Sequence, residues 1–334
     1  MDSGSSRVLM VGGLGYLGSR LAAALCERAS VVLTARSLSP ERQRWLETYR
    51  GQITGVQFDS ARQDTLPVDG PFDCVINLAA PDAKVAAQFP DTSRAAAVRA
   101  AQACLDLLER KGAKRLLHFS SFHVYGAHAR GRFSEEDAPQ PTHPYGQIHL
   151  ECERVLQSAR NPGSIEILRP TNIVGAPAHS DLGPQLGLIF LDLCRQAVES
   201  GKLVLQTNGG GHRDFLAMAD VMAAIDLLLD LRCNEPAIRL LNLSCGKTMR
   251  LGELAALIQA EAQEKLGTRI PIVLGQRRDS FASPFDVANQ RLRQLGWSPS
   301  GNLKNEIRQI LDFFRSRKRS FPGESRVGQT ILKA

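Results

Sequence analysis

No apolar run in the 334-residue chain reaches the ~18–20 residues that would span a bilayer, so no membrane span is expected. The opening residues 1–6 are small and polar, without the basic-then-apolar pattern of a secretory leader. Cysteine is scarce and scattered. The seven present are far apart and form no C-x-x-C pair, which argues against both a disulfide framework and a zinc site. Reduced core thiols in a cytoplasmic protein, with no bound metal, are the expectation. Internal repeats and low-complexity tracts are also missing. With hydrophobic residues at 43% and charged ones at 22%, the chain has no disorder signature and enough apolar material for a sizeable core.

A net charge of +7 could point to nucleic acid, but the basic residues are spread along the chain. The one dense run, Arg315, Arg317, Lys318 and Arg319, lies near the C-terminus and reads as a solvated tail face. No nucleic-acid partner is expected. A mild positive field would equally suit a small substrate carrying a diphosphate.

What the sequence does contain is an alternation of strand-like and helical stretches. Apolar runs at 7–11, 31–34, 55–58, 74–78, 116–119 and 165–168 are separated by Ala/Leu-rich amphipathic segments such as 17–28 and 93–111. Strands this apolar are buried on both faces, so the pattern predicts an α/β fold with a Rossmann-type doubly wound parallel sheet. After Pro170 the texture changes to Gly/Pro-rich loops at 175–187 and 208–211, which predicts a smaller C-terminal substrate-binding lobe. The expected division is 1–178 for the dinucleotide-binding part, 179–320 for the lobe and 321–334 for a basic tail. A helix at 220–231 and a strand at 239–243 are expected to return to the first part.

The first strand runs directly into Gly12-Gly13-Leu14-Gly15-Tyr16-Leu17-Gly18 and then a helix. A glycine fingerprint in that context serves a dinucleotide. Gly12 permits a tight turn, Gly15 lets the backbone approach a pyrophosphate, and Gly18 lets helix and strand pack closely. The second strand ends in Arg36 and Ser37, where an acid would repel a 2′-phosphate. An arginine fork with an assisting serine can hold that phosphate, so NADP is expected, with NAD possible.

These motifs, taken with those that follow, make the chain similar to the extended short-chain dehydrogenase/reductase family of NAD-dependent epimerase/dehydratase type, from about Arg7 to Phe314. Gly12 to Gly18 matches the family's TGxxGxxG, with Val11 where threonine is usual. The resemblance implies that Leu78, Ala79 and Ala80 line the cofactor and that Asp59 contacts its adenine. Ser120-Ser121-Phe122-His123-Val124-Tyr125-Gly126 resembles S-S-x-x-V-Y-G, which makes Ser121 the catalytic hydroxyl. Pro144-Tyr145-Gly146 resembles the start of Y-x-x-x-K, which makes Tyr145 the acid/base. Three later segments resemble those that hold a nucleotide-sugar. Asn172, in Arg169-Pro170-Thr171-Asn172, corresponds to a contact with the sugar diphosphate. Arg213, in Arg213-Asp214-Phe215 with Asp220 following, corresponds to a grip on the nucleotide. Arg278 and Asp279, with Asp286 seven residues on, correspond to the C-terminal region near the diphosphate.

The chain leaves the family's pattern at two positions. The lysine expected one helical turn after Tyr145 is His149. A histidine's ordinary pKa of ~6.5 leaves it largely neutral at pH 7. Three readings stand: a protonated His149 doing the lysine's job, a Tyr145 without strong activation, or a retired site that only binds cofactor. In the family's dehydratases a glutamate stands where this chain has His123; without it dehydration is disfavoured. His123 is then a second acid/base or a pocket residue contacting sugar hydroxyls. Together the resemblance implies an NADP(H)-dependent enzyme acting on a nucleotide-sugar, with 4-ketoreduction ahead of 4-epimerisation. A homodimer joined through helices 93–111 and 145–158 is also implied.

Overall fold

The computed structural model describes residues 6–320 apart from 111, 127–130, 160–162, 182–186, 232–236, 268, 280 and 282. The expected tail at 321–334 lies outside the described residues. The chain runs β1 (Ser6–Val11), α1 (Tyr16–Leu25), β2 (Ala29–Ala35), α2 (Pro40–Glu47), β3 (Ile53–Gln57), β4 (Cys74–Asn77), α3 (Ala83–Gln88), α4 (Pro90–Arg110) and β5 (Arg115–Phe119). A 3-10 turn, η1 (Phe122–Tyr125), leads to β6 (Gly131–Phe133), α5 (Pro144–Gln157), β7 (Ser164–Pro170) and β8 (Asn172–Val174). Then follow α6 (Ile189–Glu199), β9 (Leu203–Thr207), β10 (His212–Ala217), α7 (Met218–Asp230) and β11 (Ala237–Leu243). The chain closes with β12 (Thr248–Arg250), α8 (Leu251–Leu266), β13 (Ile272–Arg277), β14 (Phe285–Val287), α9 (Gln290–Gln294) and α10 (Leu303–Ser320).

Seven strands form one parallel sheet in the order β3-β2-β1-β4-β5-β7-β11. Successive side chains of a strand face opposite ways. In β1, Val8 and Met10 accordingly join the core beneath α1 and α7, while Leu9 and Val11 join the core beneath α4 and α5. Both faces are covered, which is why the strands read as unbroken apolar runs. Helix α7 and strand β11 come to this sheet from the second half of the chain. One strand-to-strand connection carries no helix. Between β3 and β4 the chain covers the sheet with Phe58, Leu66, Val68 and Phe72, all buried in a helix-free segment.

A separate core gathers α6, α8, α10 and β9 around Leu191, Leu205, Leu254, Ile258 and Ile307. Three small sheets, β8-β10-β12, β9-β13 and β6-β14, decorate this half. No helix among the described residues is long and apolar enough to cross a membrane. Strand order reverses between β1 and β4, and such a switch point opens a crevice at the strands' carboxyl ends. Gly12, the end of β4 and Ser121 all sit on that rim.

Candidate active site

The glycine turn divides its labour between packing and open space. Gly12 has φ +77°, and a Cβ there would lie 3.0 Å from the backbone nitrogen of Ala79. Gly18 is tighter, since a Cβ would lie 2.5 Å from the carbonyl oxygen of Gly13. Gly15 differs, because the nearest atom to an added Cβ is the Gly12 oxygen at 3.4 Å. Nothing within the protein therefore demands glycine at 15. Gly15 is also the N-cap of α1, which has no side-chain cap and no acid in its first turn. An uncapped helix start beside an open glycine face is a cradle that fits a pyrophosphate. Tyr16 turns away from this face and donates its hydroxyl to the Gly175 carbonyl at 2.6 Å. Leu17 packs partly buried against the core beneath α1.

At the end of β2, Arg36 and Ser37 are exposed. Arg42, not singled out from the sequence, donates to the Ser37 carbonyl and hydroxyl at 3.1 and 3.4 Å and pairs with Asp181 at 3.0 Å. Three basic or hydroxyl side chains thus flank the position where an acid would disfavour NADP. Asp59 caps its own turn through the Ala61 nitrogen at 3.1 Å, with Arg62 at 3.6 Å, and stays partly exposed. Leu78 and Ala79 are partly buried and Ala80 exposed along the rim at the end of β4.

The polar centre lies across the crevice. Ser121 caps η1, its hydroxyl accepting from the His123 nitrogen at 3.2 Å. Helix α5 begins on His143, whose Nδ1 accepts from the Tyr145 nitrogen, and so presents Tyr145 at its first turn. What lets α5 come close enough is Gly146, where a Cβ would lie 2.5 Å from the His123 carbonyl oxygen. The Tyr145 phenol lies near enough to the Ser121 hydroxyl for that group to bear on its titration. Burial raises its pKa, and the charge of Asp82 adds to that, against the lowering effect of Ser121. The rings of His149 and His123 stand edge-on to it, with centroids 4.6 and 5.6 Å away.

His149 is 3% exposed, and burial, helped by the charges of His118 and His123, pushes its pKa down to about 3. Surroundings that hold the imidazole so low favour its neutral form at pH 7 and lend no support to the reading of His149 as a protonated stand-in for lysine. His123 is likewise pushed down, to about 4, by burial and then by Arg213 and His143. That electrostatic coupling brings Arg213 into the same site. Its guanidinium lies 4.7 Å over the ring of Phe281, a bulky residue held at φ +57°, and donates to the His212 carbonyl. Asp279 accepts from the Gly211 nitrogen at 3.0 Å and bears on Arg213, while Arg278 is exposed beside it. Asn172 donates its amide to the Asp214 carbonyl at 2.9 Å.

Two acids of the later motifs belong to the scaffold. Asp214 is fully buried and accepts from Thr171 and from the nitrogens of Cys245 and Gly246, with burial raising its pKa to about 6. Asp220 holds Ser300 and Gly301. Arg169 is also internal, forked onto Glu153 at 2.9 and 2.6 Å and bonded to the Tyr125 hydroxyl. Sequence reasoning missed Gly146, Glu153 and His118, whose roles need the three-dimensional neighbour to be seen.

The model of the NAD dependent epimerase/dehydratase family matches residues 8–243. The chain belongs to that family. Its members are enzymes of the short-chain dehydrogenase/reductase type, and a nicotinamide dinucleotide is the family's cofactor. Among the similar proteins is a dTDP-6-deoxy-L-talose 4-dehydrogenase (NAD(P)(+)) of Kitasatospora kifunensis, 28% identical, covering 91% of this chain and 94% of that protein. A UDP-glucose 4-epimerase of Azospirillum brasilense is 26% identical, covering 95% and 94%. Among solved structures, a UDP-N-acetylglucosamine 4-epimerase from Methanobrevibacter ruminantium M1 in complex with UDP-N-acetylmuramic acid superposes with a TM-score of 0.79. It is 21% identical, covers 94% and 99% of the two chains, and shares the fold.

Proposed function

We propose that this family member is an NADP(H)-dependent ketoreductase acting on a nucleoside-diphosphate sugar, with C4 as the reacting carbon. The observation that carries the choice is the state of Tyr145. Its side chain is partly buried against the core, burial raises its pKa, and burial holds the imidazole one turn on far below its ordinary value. A phenol without a cationic neighbour stays protonated at neutral pH, ready to give a proton and poorly able to take one. Reduction of a ketone asks for that donation. The bound dinucleotide supplies the hydride. Tyr145 gives its proton to the carbonyl oxygen as the charge develops there, and Ser121 donates a second hydrogen bond to the same oxygen. Arg213, with Asn172, Arg278 and Asp279, is proposed to face the nucleoside diphosphate, and His123 the sugar hydroxyls. The division near residue 178, with the substrate held by the second half, belongs to the same proposal. So does a homodimer through α4 and α5. Of the small residues on α4, Ala97, Ala100, Ala101 and Ala103 are spent inside the subunit, leaving Ala95 and Ala96 outward.

A 4-epimerase with retained cofactor is the second reading, favoured by the 4-epimerases among the relatives. It requires Tyr145 to take a proton first, which its raised pKa opposes. A non-catalytic cofactor-binding protein is the reading from another class, and turnover of any nucleotide-sugar removes it. The test is a panel of nucleoside-diphosphate 4-keto sugars with NADPH, following absorbance of the reduced cofactor. Stoichiometric consumption is expected, whereas interconversion of 4-hydroxy epimers with no net consumption would establish the second reading. NADPH should also bind at least tenfold more tightly than NADH, because a charge-assisted phosphate contact contributes ~1.5–3 kcal/mol. Arg36→Asp should abolish that preference; equal affinities in the unmodified protein would reject NADP.

A further inference from the structure

A second buried histidine is left unused by the reaction. His118, on β5, is 3% exposed, and its partner across the sheet is Asn77 at the end of β4. The Asn77 Oδ1 accepts from the backbone nitrogen of Ala79 at 3.1 Å. A backbone N–H only donates, so that contact fixes the amide's orientation and turns its Nδ2 toward His118 Nδ1, 3.1 Å away. An amide NH2 also only donates. His118 Nδ1 must therefore be the acceptor, and the ring's one proton sits on Nε2. That Nε2–H is a buried donor without a hydrogen-bond partner among the described residues, and so is the Nε2 of His149 a buried atom without one. Leaving both unmade is costly, and the two unmatched nitrogens complement each other.

We infer that His118 and His149 act as a pair, His118 donating from Nε2 to Nε2 of His149 through one bound water or a small ring rotation. The pair locks the proton of His149 onto Nδ1. Position 149 then offers the crevice a neutral donor of fixed polarity, suited to a ribose hydroxyl, where the family's pattern would place a cation. His118 lies on the same face of β5 as Leu116, whose core also holds Ile148 and Cys152 of α5, and the electrostatic interaction of the two rings agrees with that placement. His118 is thus a positioning residue, set in turn by Asn77 and Ala79. It also explains how the site tolerates losing the lysine. A polarised neutral imidazole preserves a cofactor contact while leaving Tyr145 protonated, which is the state ketone reduction uses. The inference rests on the proposed function only in placing a dinucleotide beside His149.

The experiment reads tautomers directly, without substrate. Protein labelled with 15N-histidine is examined at pH 7 by long-range proton–nitrogen correlation, alone and with NADPH, and the rings are assigned from single variants. His118 should show the Nε2–H pattern and His149 the Nδ1–H pattern. His118→Phe should release His149 into a mixture of tautomers and weaken NADPH binding by roughly three- to tenfold. His118→Gln should restore both, since its oxygen can accept from Asn77 and its amide can donate onward. A His149 carrying its proton on Nε2, or a His149 pattern indifferent to His118→Phe, would overturn the pairing. If His118→Phe does not fold, the unmodified protein and the glutamine variant decide. Absent turnover with the expected tautomers would sink the ketoreductase and leave the pair standing.

Discussion

At the scale of single residues, the glycine turn separates stability from function. Alanine at 18 would drive a methyl to 2.5 Å from backbone that cannot step aside. Gly18→Ala should therefore lower the melting temperature substantially, with loss of function following from loss of fold. Alanine at 15 meets only one atom, at 3.4 Å, and the backbone there is extended at φ −80°. Its cost is the ordinary one of alanine at an N-cap, ~1 kcal/mol or less, a few degrees at most in a chain this size. Yet the methyl projects into the face that a pyrophosphate must approach. Gly15→Ala should leave a folded protein whose NADPH affinity, by calorimetric titration, falls at least tenfold. Unchanged affinity would mean that the phosphates lie elsewhere. Tyr145→Phe makes the complementary case. The phenol acts on the substrate oxygen, so turnover should drop by about 10²–10⁴, the usual share of a general acid, with NADPH binding nearly intact.

At the scale of elements, the site depends on how closely α5 approaches η1. Gly146 sets that distance, and its replacement makes opposed predictions possible. Helix propensity alone would have Gly146→Ala stabilise the protein by up to ~1 kcal/mol. The contact says otherwise, because the new methyl would press on the His123 carbonyl and push Tyr145 off Ser121. Misplacement by about 1 Å costs on the order of 10²-fold in rate. The expected outcome is a matching fall in kcat with cofactor affinity changed less than about threefold, measured by steady-state kinetics beside fluorescence titration. Unaltered kcat would show that α5 has slack. Deeper along the same helix, Glu153 forks onto Arg169 of β7, both fully buried. Removing one partner strands a buried charge, so Arg169→Leu should cost ~3–5 kcal/mol in denaturant unfolding. These contacts mark what the sequence discloses and what it withholds. Strands and helices of the sheet are legible because burial imposes a period on the chain. The glycine turn is legible because its chemistry is local. Gly146, Glu153 and His118 are not, since each draws its role from a residue at least 16 positions away, His123, Arg169 or Asn77, and no short-range pattern announces it. The same holds for Asn172 and Asp214, whose bonds run largely to the scaffold.

At the scale of the whole molecule, the buried histidines make an acid-sensitive fold. His118 and His123 are pushed down to about 4 and His149 to about 3, in each case chiefly by burial, and His179 is lowered as well. In the unfolded chain each would titrate near ~6.5. Between the folded and unfolded values the unfolded state holds more protons. The stability these groups contribute is therefore complete above about pH 6.5 and is lost as pH falls toward 4. Two carboxylates work in the opposite sense. Asp214, raised to about 6, holds a proton in the folded state near pH 5 that the unfolded chain has released, and Glu306, also raised by burial, acts in the same direction. Three histidines, His118, His123 and His149, against Asp214 leave the unfolded chain about two protons ahead at pH 5, a slope of roughly 2–3 kcal/mol per pH unit. Urea unfolding at pH 7.5, 6 and 5 should show the midpoint falling steadily, with the denaturant slope unchanged because the surface exposed is the same. His118→Phe removes one of these histidines, so its midpoint should decline more gently with acid than that of the unmodified protein. A flat profile from pH 7.5 to 5 would mean that these imidazoles can reach water and charge without unfolding. In that event His149 would be free to carry a proton beside Tyr145, and the case for a neutral, reductive site would fall with it.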